Sequence, residues 1–350
     1  MNFTRILLPT PNDGLIAVDW HTRPVQNQPV MLIIHGPVGG SHTPYIRWMT
    51  KYAYTRLHLC CVIMHARGCG NSRLASPKIF NGAYTGDINV TIKYIQTIIG
   101  QHTPLFAVGK LLSCIQKEKR LLFLLFQGYF YGAGTLTKYL GEQGEYSDLT
   151  ATVSCSASYD YVLTANSLEK WFNMIIYNKS LTQTLMTYLK SHENQFQDMT
   201  HINLKSAYRS RTIREYDIAT AVPLFGYKNV LDYYKEGSSA PWIQHIRAPM
   251  LILSATDDPI CCIEGLPLKD VSNSDHVIAV LTKEGGHVGC LQAWWPRKYS
   301  WENKAIAEYV MSILKRIHYD EHFDQNNEDE TLCADYAGNS IDITMDQHQF

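Results

Sequence analysis

Two glycines around an aromatic residue mark the place where this chain could hold a nucleophile. Gly128 and Gly132 stand two residues before and two residues after Phe130. In the G-x-S-x-G pattern, a central serine sits on a sharp turn between a buried strand and a helix, where a histidine can deprotonate it. The N–H groups of that helix favour a developing negative charge. Phe130 has no hydroxyl, so the segment has the outline of this turn without its nucleophile. The alternative is an ordinary strand-turn with aromatic packing.

The elements that would position such a site are short apolar runs that end in polar or glycine-rich loops. Residues 4–8 and 15–20 alternate around Asn12-Asp13-Gly14 and predict a β-hairpin. Six continuous apolar runs follow, at 30–34, 59–64, 104–108, 149–154, 250–253 and 277–281. Such runs, alternating with helical stretches, indicate the α/β class, with a mostly parallel central sheet and helices on both faces. Ligands bind such sheets beyond the carboxyl ends of the strands, where these loops would lie.

The same patterns predict one large domain over residues 1–317, with a helical cap at about 160–240 that would shape a substrate pocket. Helical patterns lie at 168–176 and 181–189 within this cap. Residues 318–350 are polar and acidic, without Lys or Arg, and we expect a mostly disordered tail.

Residues 110–128 interrupt the pattern at the point where a strand should run directly into the glycine-flanked turn. Their removal would join Phe106-Ala107-Val108-Gly109 to Tyr129-Phe130-Tyr131-Gly132, a continuous strand-turn-helix sequence. We interpret the segment as a late insertion or a translated intron. The alternative is an additional helix and strand that belong to the fold.

Charge and cysteine content argue against several other functions. The chain has 31 basic and 32 acidic residues and a net charge of −1, which disfavours a nucleic-acid partner. The nine cysteines form no C-x-x-C spacing, so we expect reduced thiols. No histidine pair at metal-binding spacing stands with a carboxylate, so we expect no metal. The glycine-rich loop at 35–41 lacks the phosphate cradle of nucleotide-binding proteins, and we expect no cofactor. Without a signal peptide or a long apolar run, we expect a cytoplasmic location, with membrane association left open.

Six short motifs are spread over most of the chain. They are H-G-x-x-G-G-S at 35–41, R-G-C-G-N-S at 67–72, T-G-D at 85–87, K-Y-L-G-E at 138–142, D-D-P at 257–259 and G-G-H-V-G at 285–289. Together they resemble the α/β-hydrolase superfamily, specifically its YheT-like branch, which includes the plant embryogenesis-associated hydrolases and the animal α/β-hydrolase-domain lipases. The resemblance runs from about Asp13 to Arg316. Animal members usually carry an N-terminal membrane anchor; without one, membrane contact would need the cap or residues 121–126.

The resemblance implies the α/β-hydrolase fold and hydrolysis of carboxylic esters or acylglycerols by a Ser-Asp-His relay. The substrate would be a small-molecule acyl ester or lipid. Carried over by position, His287 would be the general base and Asp258 would orient it. Asp258 directly precedes a proline, as the relay aspartate of the family does, and Asp257 is expected to cap the turn. The nucleophile position falls on Phe130.

The resemblance also implies an oxyanion hole with two backbone N–H donors. The first would come from Tyr131, the residue after the nucleophile position. The second would come from Pro37 if it is the residue after Gly36, and proline has no N–H. Val38 is the alternative donor.

Three hypotheses on activity follow from Phe130. The first is an esterase or lipase lineage in which this chain has lost its serine; the presence of Asp258 and His287 favours it. The second is a catalytically inactive pseudo-hydrolase that binds lipids or acyl groups or serves as an interaction module. The third is an enzyme with a displaced nucleophile, for which the nearest hydroxyls are Ser113, Ser154, Ser156 and Ser158.

Overall fold

Apolar runs that can be buried on both sides form the strands of the central sheet. The computed structural model describes residues 1–36, 38–110, 132–287 and 300–324, with side chains to residue 318. The strands are β1 Thr4–Pro9, β2 Leu15–Trp20, β3 Val30–Ile34, β4 Cys60–His65, β5 Leu105–Lys110, β6 Ala151–Cys155, β7 Met250–Ala255 and β8 Val277–Thr282. All strands predicted from the sequence are present, with bounds that differ by at most two residues.

The eight strands form one sheet in the order β1-β2-β4-β3-β5-β6-β7-β8. The hairpin β1–β2 is antiparallel and β2 joins β4 antiparallel, whereas the strands from β3 to β8 pair in parallel. Every residue of β3 and β4 is buried, while β1 and β8 at the two edges are partly exposed. The predicted mostly parallel sheet of the α/β class is confirmed.

Helices connect the parallel strands, which cannot be joined by tight turns. The helices are α1 Pro44–Leu57, α2 Gly86–Ile99, α3 Gly132–Gln143, α4 Tyr161–Leu168, α5 Trp171–Asn173, α6 Lys179–Ser191, α7 Leu204–Ala207, α8 Ile213–Ala219, α9 Ala221–Phe225, α10 Val230–Gly237, α11 Leu268–Ser272 and α12 Trp301–Asp324. Short 3₁₀ turns lie at Gly144–Tyr146, Glu193–Phe196, Ala240–His245 and Ile263–Gly265. Helices α4 to α10 all lie between β6 and β7, in the region where the sequence predicts the cap, and we call them the cap helices.

The first predicted helix of the cap is divided. Helix α4 ends at Leu168, and α5 leads through a π-helical turn at Met174–Asn178 into α6. The second predicted helix, at residues 181–189, lies within α6.

The chain divides into two compact units, Met1–Val310 and Met311–Phe350. Helix α12 extends to Asp324, so residues 318–324 of the predicted tail are helical, and the rest of the tail lies outside the described residues. Among the described residues, no helix is long and apolar enough to span a membrane.

Lys110 is a residue of the sheet, although the sequence places it in the suspected insertion. It ends β5, pairs in parallel with Cys155 and is buried. Its Nζ lies 2.9 Å from Oε2 of Glu302 and donates to Oδ1 of Asn303 at 3.1 Å. The remainder of the suspected insertion, residues 111–128, lies outside the described residues.

Candidate active site

Two glycines at the end of β5 and the start of α3 occupy places where a side chain would not fit. A Cβ atom on Gly109 would stand 2.5 Å from the Cα of Ala133. On Gly132 it would stand 2.7 Å from the carbonyl oxygen of His35. Close strand-to-helix approach is the reason for the flanking glycines of a nucleophile elbow. The sequence assigns the first of them to Gly128, which lies outside the described residues, whereas in the described structure Gly109 meets this condition.

Phe130 and Tyr131, the predicted nucleophile position and oxyanion donor, lie outside the described residues. So does Pro37, the second predicted donor. Val38 is described and has a φ of 57°, a left-handed conformation that is rare for a β-branched residue. A backbone hydrogen bond links Val38 to the thiol of Cys69, whose pKa is raised to about 12, mainly by burial. The part of Val38 in an oxyanion hole stays a prediction.

His287 and Asp258 lie side by side beyond the carboxyl ends of β8 and β7. Nδ1 of His287 is 2.7 Å from Oδ2 of Asp258, and both side chains are buried. A backbone hydrogen bond joins the two loops where they leave the sheet: the N–H of Thr256 donates to the carbonyl of Thr282 at 2.8 Å. Nε2 of His287 is buried and has no hydrogen-bond partner among the described residues. The pair therefore has one histidine nitrogen held by a carboxylate and the other available for a proton.

The carboxylate of Asp258 is fixed by its own loop. Its Oδ1 accepts the backbone N–H groups of Ile260 at 2.8 Å and Cys261 at 2.9 Å, which leaves Oδ2 for the histidine. The neighbouring Asp257 is exposed and accepts the N–H groups of Gly286 at 2.7 Å and Gly285 at 3.2 Å. Asp257 thus holds the loop that carries His287, in line with the turn-capping role expected for it.

Three of the hydroxyls considered as displaced nucleophiles lie on β6 or just after it. Ser154, Ser156 and Ser158 are buried and do not bond to His287. Ser154 lies 3.1 Å from the hydroxyl of Tyr159, and Ser158 lies 2.7 Å from that of Thr164. Ser156 has a φ of 49°. Because Nε2 of His287 has no partner in the described part of the chain, none of them forms a nucleophile–base contact in this conformation. Ser113 lies outside the described residues.

The sequence did not reveal that Cys261 lies beside the histidine–aspartate pair. In the described part of the chain, one donor atom each from Asp258, Cys261 and His287 lies within 4.8 Å of the other two. Oxygen, sulfur and nitrogen donors at this spacing could hold Zn²⁺. Burial raises the pKa of the Cys261 thiol well above its usual value, so metal binding would require removal of a tightly held proton. The D-D-P motif signals only the aspartate.

Two of the six motifs meet in a buried ion pair. Nε and Nη2 of Arg67, from R-G-C-G-N-S, bond to the two carboxylate oxygens of Asp87, from T-G-D, at 2.8 and 2.7 Å. The hydroxyl of Tyr188 in α6 donates to the carbonyl of Arg67 at 2.7 Å. These motifs therefore join the loop after β4 to α2 and to the cap.

A second carboxylate–histidine contact, which no sequence motif signals, joins the hairpin to β4. Oδ2 of Asp19 is 2.8 Å from Nε2 of His65 and accepts the Ser41 hydroxyl at 2.5 Å, and Arg5 contacts both carboxylate oxygens at 2.7 Å. Burial alone would raise the pKa of Asp19, but hydrogen bonds from Arg5, His65 and Ser41 hold it well below the usual carboxyl range. The saturated carboxylate indicates a structural cluster.

Several known proteins are similar to this chain in sequence. No family model matches the chain. The human phospholipase ABHD3 is 25% identical over 319 residues, which cover 89% of this chain and 72% of the relative. A monoacylglycerol lipase of Saccharomyces cerevisiae is 29% identical over 302 residues, 83% of this chain and 60% of the relative. The embryogenesis-associated protein EMB8 of Picea glauca is 26% identical over 310 residues, 87% and 63% of the two chains.

Solved structures show the same fold. An esterase of Pyrococcus furiosus superimposes with a TM-score of 0.53 at 12% identity, over 90% of this chain and 91% of the esterase. The chain has the α/β-hydrolase fold. The expected fold is confirmed, and the loops after β7 and β8 carry the carboxylate and the histidine that the family resemblance singles out.

Proposed function

We propose that this hydrolase fold carries a site for the hydrolysis of carboxylic esters or acylglycerols, with His287 as general base and Asp258 as the residue that orients it. The observation that supports this most directly is the 2.7 Å contact between Nδ1 of His287 and Oδ2 of Asp258, with Nε2 left without a partner among the described residues. The phospholipase and the monoacylglycerol lipase among the relatives are named for ester substrates, which agrees with the proposal.

In the proposed reaction, Nε2 of His287 takes the proton of a serine hydroxyl as its oxygen attacks the ester carbonyl. The proton then passes to the leaving alcohol, and a water molecule activated in the same way releases the acid. Asp258 holds the Nδ1 proton and stabilises the imidazolium. The position that must supply the hydroxyl is Phe130. With phenylalanine there, the histidine–aspartate pair has no group to activate, and we expect the chain to be inactive.

A repaired chain tests this assignment. The repaired chain carries Phe130→Ser and lacks residues 111–129, so that Gly109-Lys110-Ser-Tyr131-Gly132 restores the G-x-S-x-G spacing. This deletion keeps Lys110, whose loss would remove the cation that contacts buried Glu302. A fluorophosphonate probe, which bonds to activated hydroxyls, should label the repaired chain at residue 130 and leave the 350-residue chain unlabelled.

The control separates the relay from adventitious reaction. His287→Ala in the repaired chain should abolish labelling, whereas His201→Ala, at an exposed histidine of the cap region, should leave it unchanged. A folded repaired chain that neither reacts with the probe nor hydrolyses a p-nitrophenyl ester would contradict the assignment of Phe130, and labelling that survives His287→Ala would contradict the assignment of the base.

The absence of a hydroxyl at residue 130 favours a second candidate function, the binding of lipids or acyl groups without catalysis. A cavity of about 260 Å³ is lined by Lys78, by the ion-paired Arg67 and Asp87, and by the apolar Leu224 and Phe225 of α9, among others. Such an amphipathic cavity suits a fatty acid. Saturable binding of a fluorescent fatty acid to the 350-residue chain, lost on Leu224→Asp, would support this candidate.

A further inference from the structure

One segment of the cap has its apolar side chains turned to the solvent and its polar side chains turned inward. Trp171 is 78% exposed, Phe172 56%, Ile175 56% and Ile176 40%. The buried residues of the same segment are asparagines, Asn173 and Asn178. Since apolar surface is driven out of water, a surface helix normally has the opposite arrangement. An inverted segment of this kind implies an apolar partner on its outer side.

Hydrogen bonds prevent the segment from turning its apolar face inward. Nδ2 of Asn173 donates to the carbonyls of Pro259 at 2.7 Å and Ser167 at 2.8 Å. Nδ2 of Asn178 donates to the carbonyl of Leu168 at 3.2 Å, and its Oδ1 accepts the N–H of Ile213 at 2.9 Å. Rotation of the segment would leave these buried backbone groups without partners.

Positive charge borders the apolar face at both ends. Lys170 precedes it and Lys179 follows it, and both are exposed. The one acidic residue beside them in the sequence, Glu169, is neutralised by Arg214, whose Nε lies 2.8 Å from its Oε1. Among the charged residues within and immediately beside the segment in the sequence, the balance is therefore net positive.

We propose that Trp171, Phe172, Ile175 and Ile176, which we call the cap face, dock on an anionic phospholipid surface. Tryptophan, phenylalanine and aliphatic side chains bordered by lysine are the combination that amphipathic segments insert at the boundary between headgroups and acyl chains. The lysines would contact anionic headgroups. A face that binds another protein would be expected to have few lysines, because lysine is depleted at protein–protein interfaces.

The segment that carries the cap face is bonded on its inner side to the loop of the candidate active site. Asn173, between the exposed Phe172 and Ile175, bonds to Pro259, the residue after Asp258. Burial, and to a smaller extent the charge of Asp258, raise the pKa of Tyr177, one residue past the cap face. The segment that carries the docking surface is therefore hydrogen-bonded to the loop that carries Asp258. The proposal concerns binding only and does not depend on whether the site hydrolyses esters.

Vesicle co-sedimentation of the 350-residue chain tests the proposal. Vesicles that contain phosphatidylserine and phosphatidylcholine should bind the chain, and vesicles of phosphatidylcholine alone should bind it more weakly. Trp171→Ser with Phe172→Ser should lower the partition coefficient at least about tenfold, because these side chains supply the inserted apolar area. Lys170→Gln with Lys179→Gln should lower binding about fivefold per lysine on the anionic vesicles alone.

The matched control removes exposed apolar side chains elsewhere. Tyr146 is 86% exposed and Ile98 44% exposed, both outside the cap helices, so Tyr146→Ser with Ile98→Ser should leave vesicle binding unchanged. Circular dichroism should show that all variants are folded. An equal loss in the control and cap-face variants, or no binding by the wild-type chain, would overturn the proposal. A wild-type dimer that Trp171→Ser with Phe172→Ser dissociates, without vesicle binding, would assign the face to a second copy instead.

Discussion

At residue 109, α3 lies so close to β5 that only glycine, which has no side chain beyond a hydrogen, fits. Gly109→Ala would force a Cβ to within 2.5 Å of the Ala133 Cα, a backbone atom that cannot move aside. We expect a loss of stability of about 2 kcal/mol or more. Urea unfolding measures it, with Gly265→Ala as the control, because a Cβ there would meet Asp160 at an ordinary 3.4 Å. Equal effects of the two substitutions would mean that Gly109 is not in close contact with α3.

Asp257 and Asp258 have different hydrogen-bond partners, and substitution of each should show that their roles differ. Asp258 bonds to the ring of His287, whereas Asp257 bonds to backbone N–H groups of the loop before it. In the repaired chain, Asp258→Asn should slow fluorophosphonate labelling by about 10⁴-fold, because the histidine loses its orienting carboxylate. Asp257→Asn should slow it by about tenfold or less. The reverse order of effects would exchange the two assignments.

The chemistry of the site could be inferred from the sequence only where a local motif carries it. Gly285, Gly286 and His287 form such a motif, and so do Asp257 to Pro259. Cys261 lies three residues after Asp258, and no pattern announces that the turn brings its thiol to within 4.8 Å of the pair. The contact of Asp19 with His65 joins residues 46 apart in the sequence and depends on the pairing of β2 with β4.

Among the elements, α8 carries a carboxyl group that should make stability depend on pH. Burial raises the pKa of Asp217 to about 7, although the Tyr234 hydroxyl donates to its Oδ2 at 2.8 Å and Arg214 lies near. Tyr161, Tyr216 and Tyr233 also face it. Between the usual carboxyl pKa of about 4 and about 7, the folded chain keeps a proton that the unfolded chain has released, so stability from this group falls as pH rises.

Asp217→Asn removes this titration. The free energy of unfolding of the wild-type chain, relative to the variant, should decrease between about pH 5 and 7 by up to about 1.4 kcal/mol per pH unit. Urea unfolding at several pH values measures the slope. Asp198→Asn, at an exposed position of the cap region, serves as the control and should retain the wild-type slope. A slope that Asp217→Asn leaves unaltered would show that Asp217 is ionised throughout this range.

Strands were easier to predict than cap segments, and burial explains the difference. The five residues of β3 are all buried, so an apolar run suffices to identify it and its bounds agree with the sequence pattern. In the cap segment 171–178, the apolar residues 171, 172, 175 and 176 are exposed and the buried residues are asparagines. Hydrophobic periodicity assumes that apolar side chains face the protein, so it predicted one helix where α4, α5 and a π-helical turn occur.

For the whole molecule, the sheet brings the two ends of the undescribed stretch after β5 together. Gly109 near the end of β5 is in contact with Ala133 in the first turn of α3. The strand and helix that an elbow connects are thus already in place on either side of residues 111–131. This geometry supports the interpretation of an insertion, because a chain can be shortened between two residues that are in contact.

Two deletions of equal length should therefore differ in stability. Removal of 111–129 keeps Lys110 and its 2.9 Å contact with Glu302, which is 2% exposed, whereas removal of 110–128 puts tyrosine in its place. We expect the first deletion to unfold cooperatively with wild-type stability or better, because a shorter loop costs less entropy to close. The second should be less stable than the first by about 3–5 kcal/mol, since Glu302 loses its buried cation. Urea unfolding compares the two deletions. Glu302→Gln should reduce the difference in their free energies of unfolding, because it removes the unpaired buried charge. Failure of both deletions to fold would show that residues 111–129 belong to the fold.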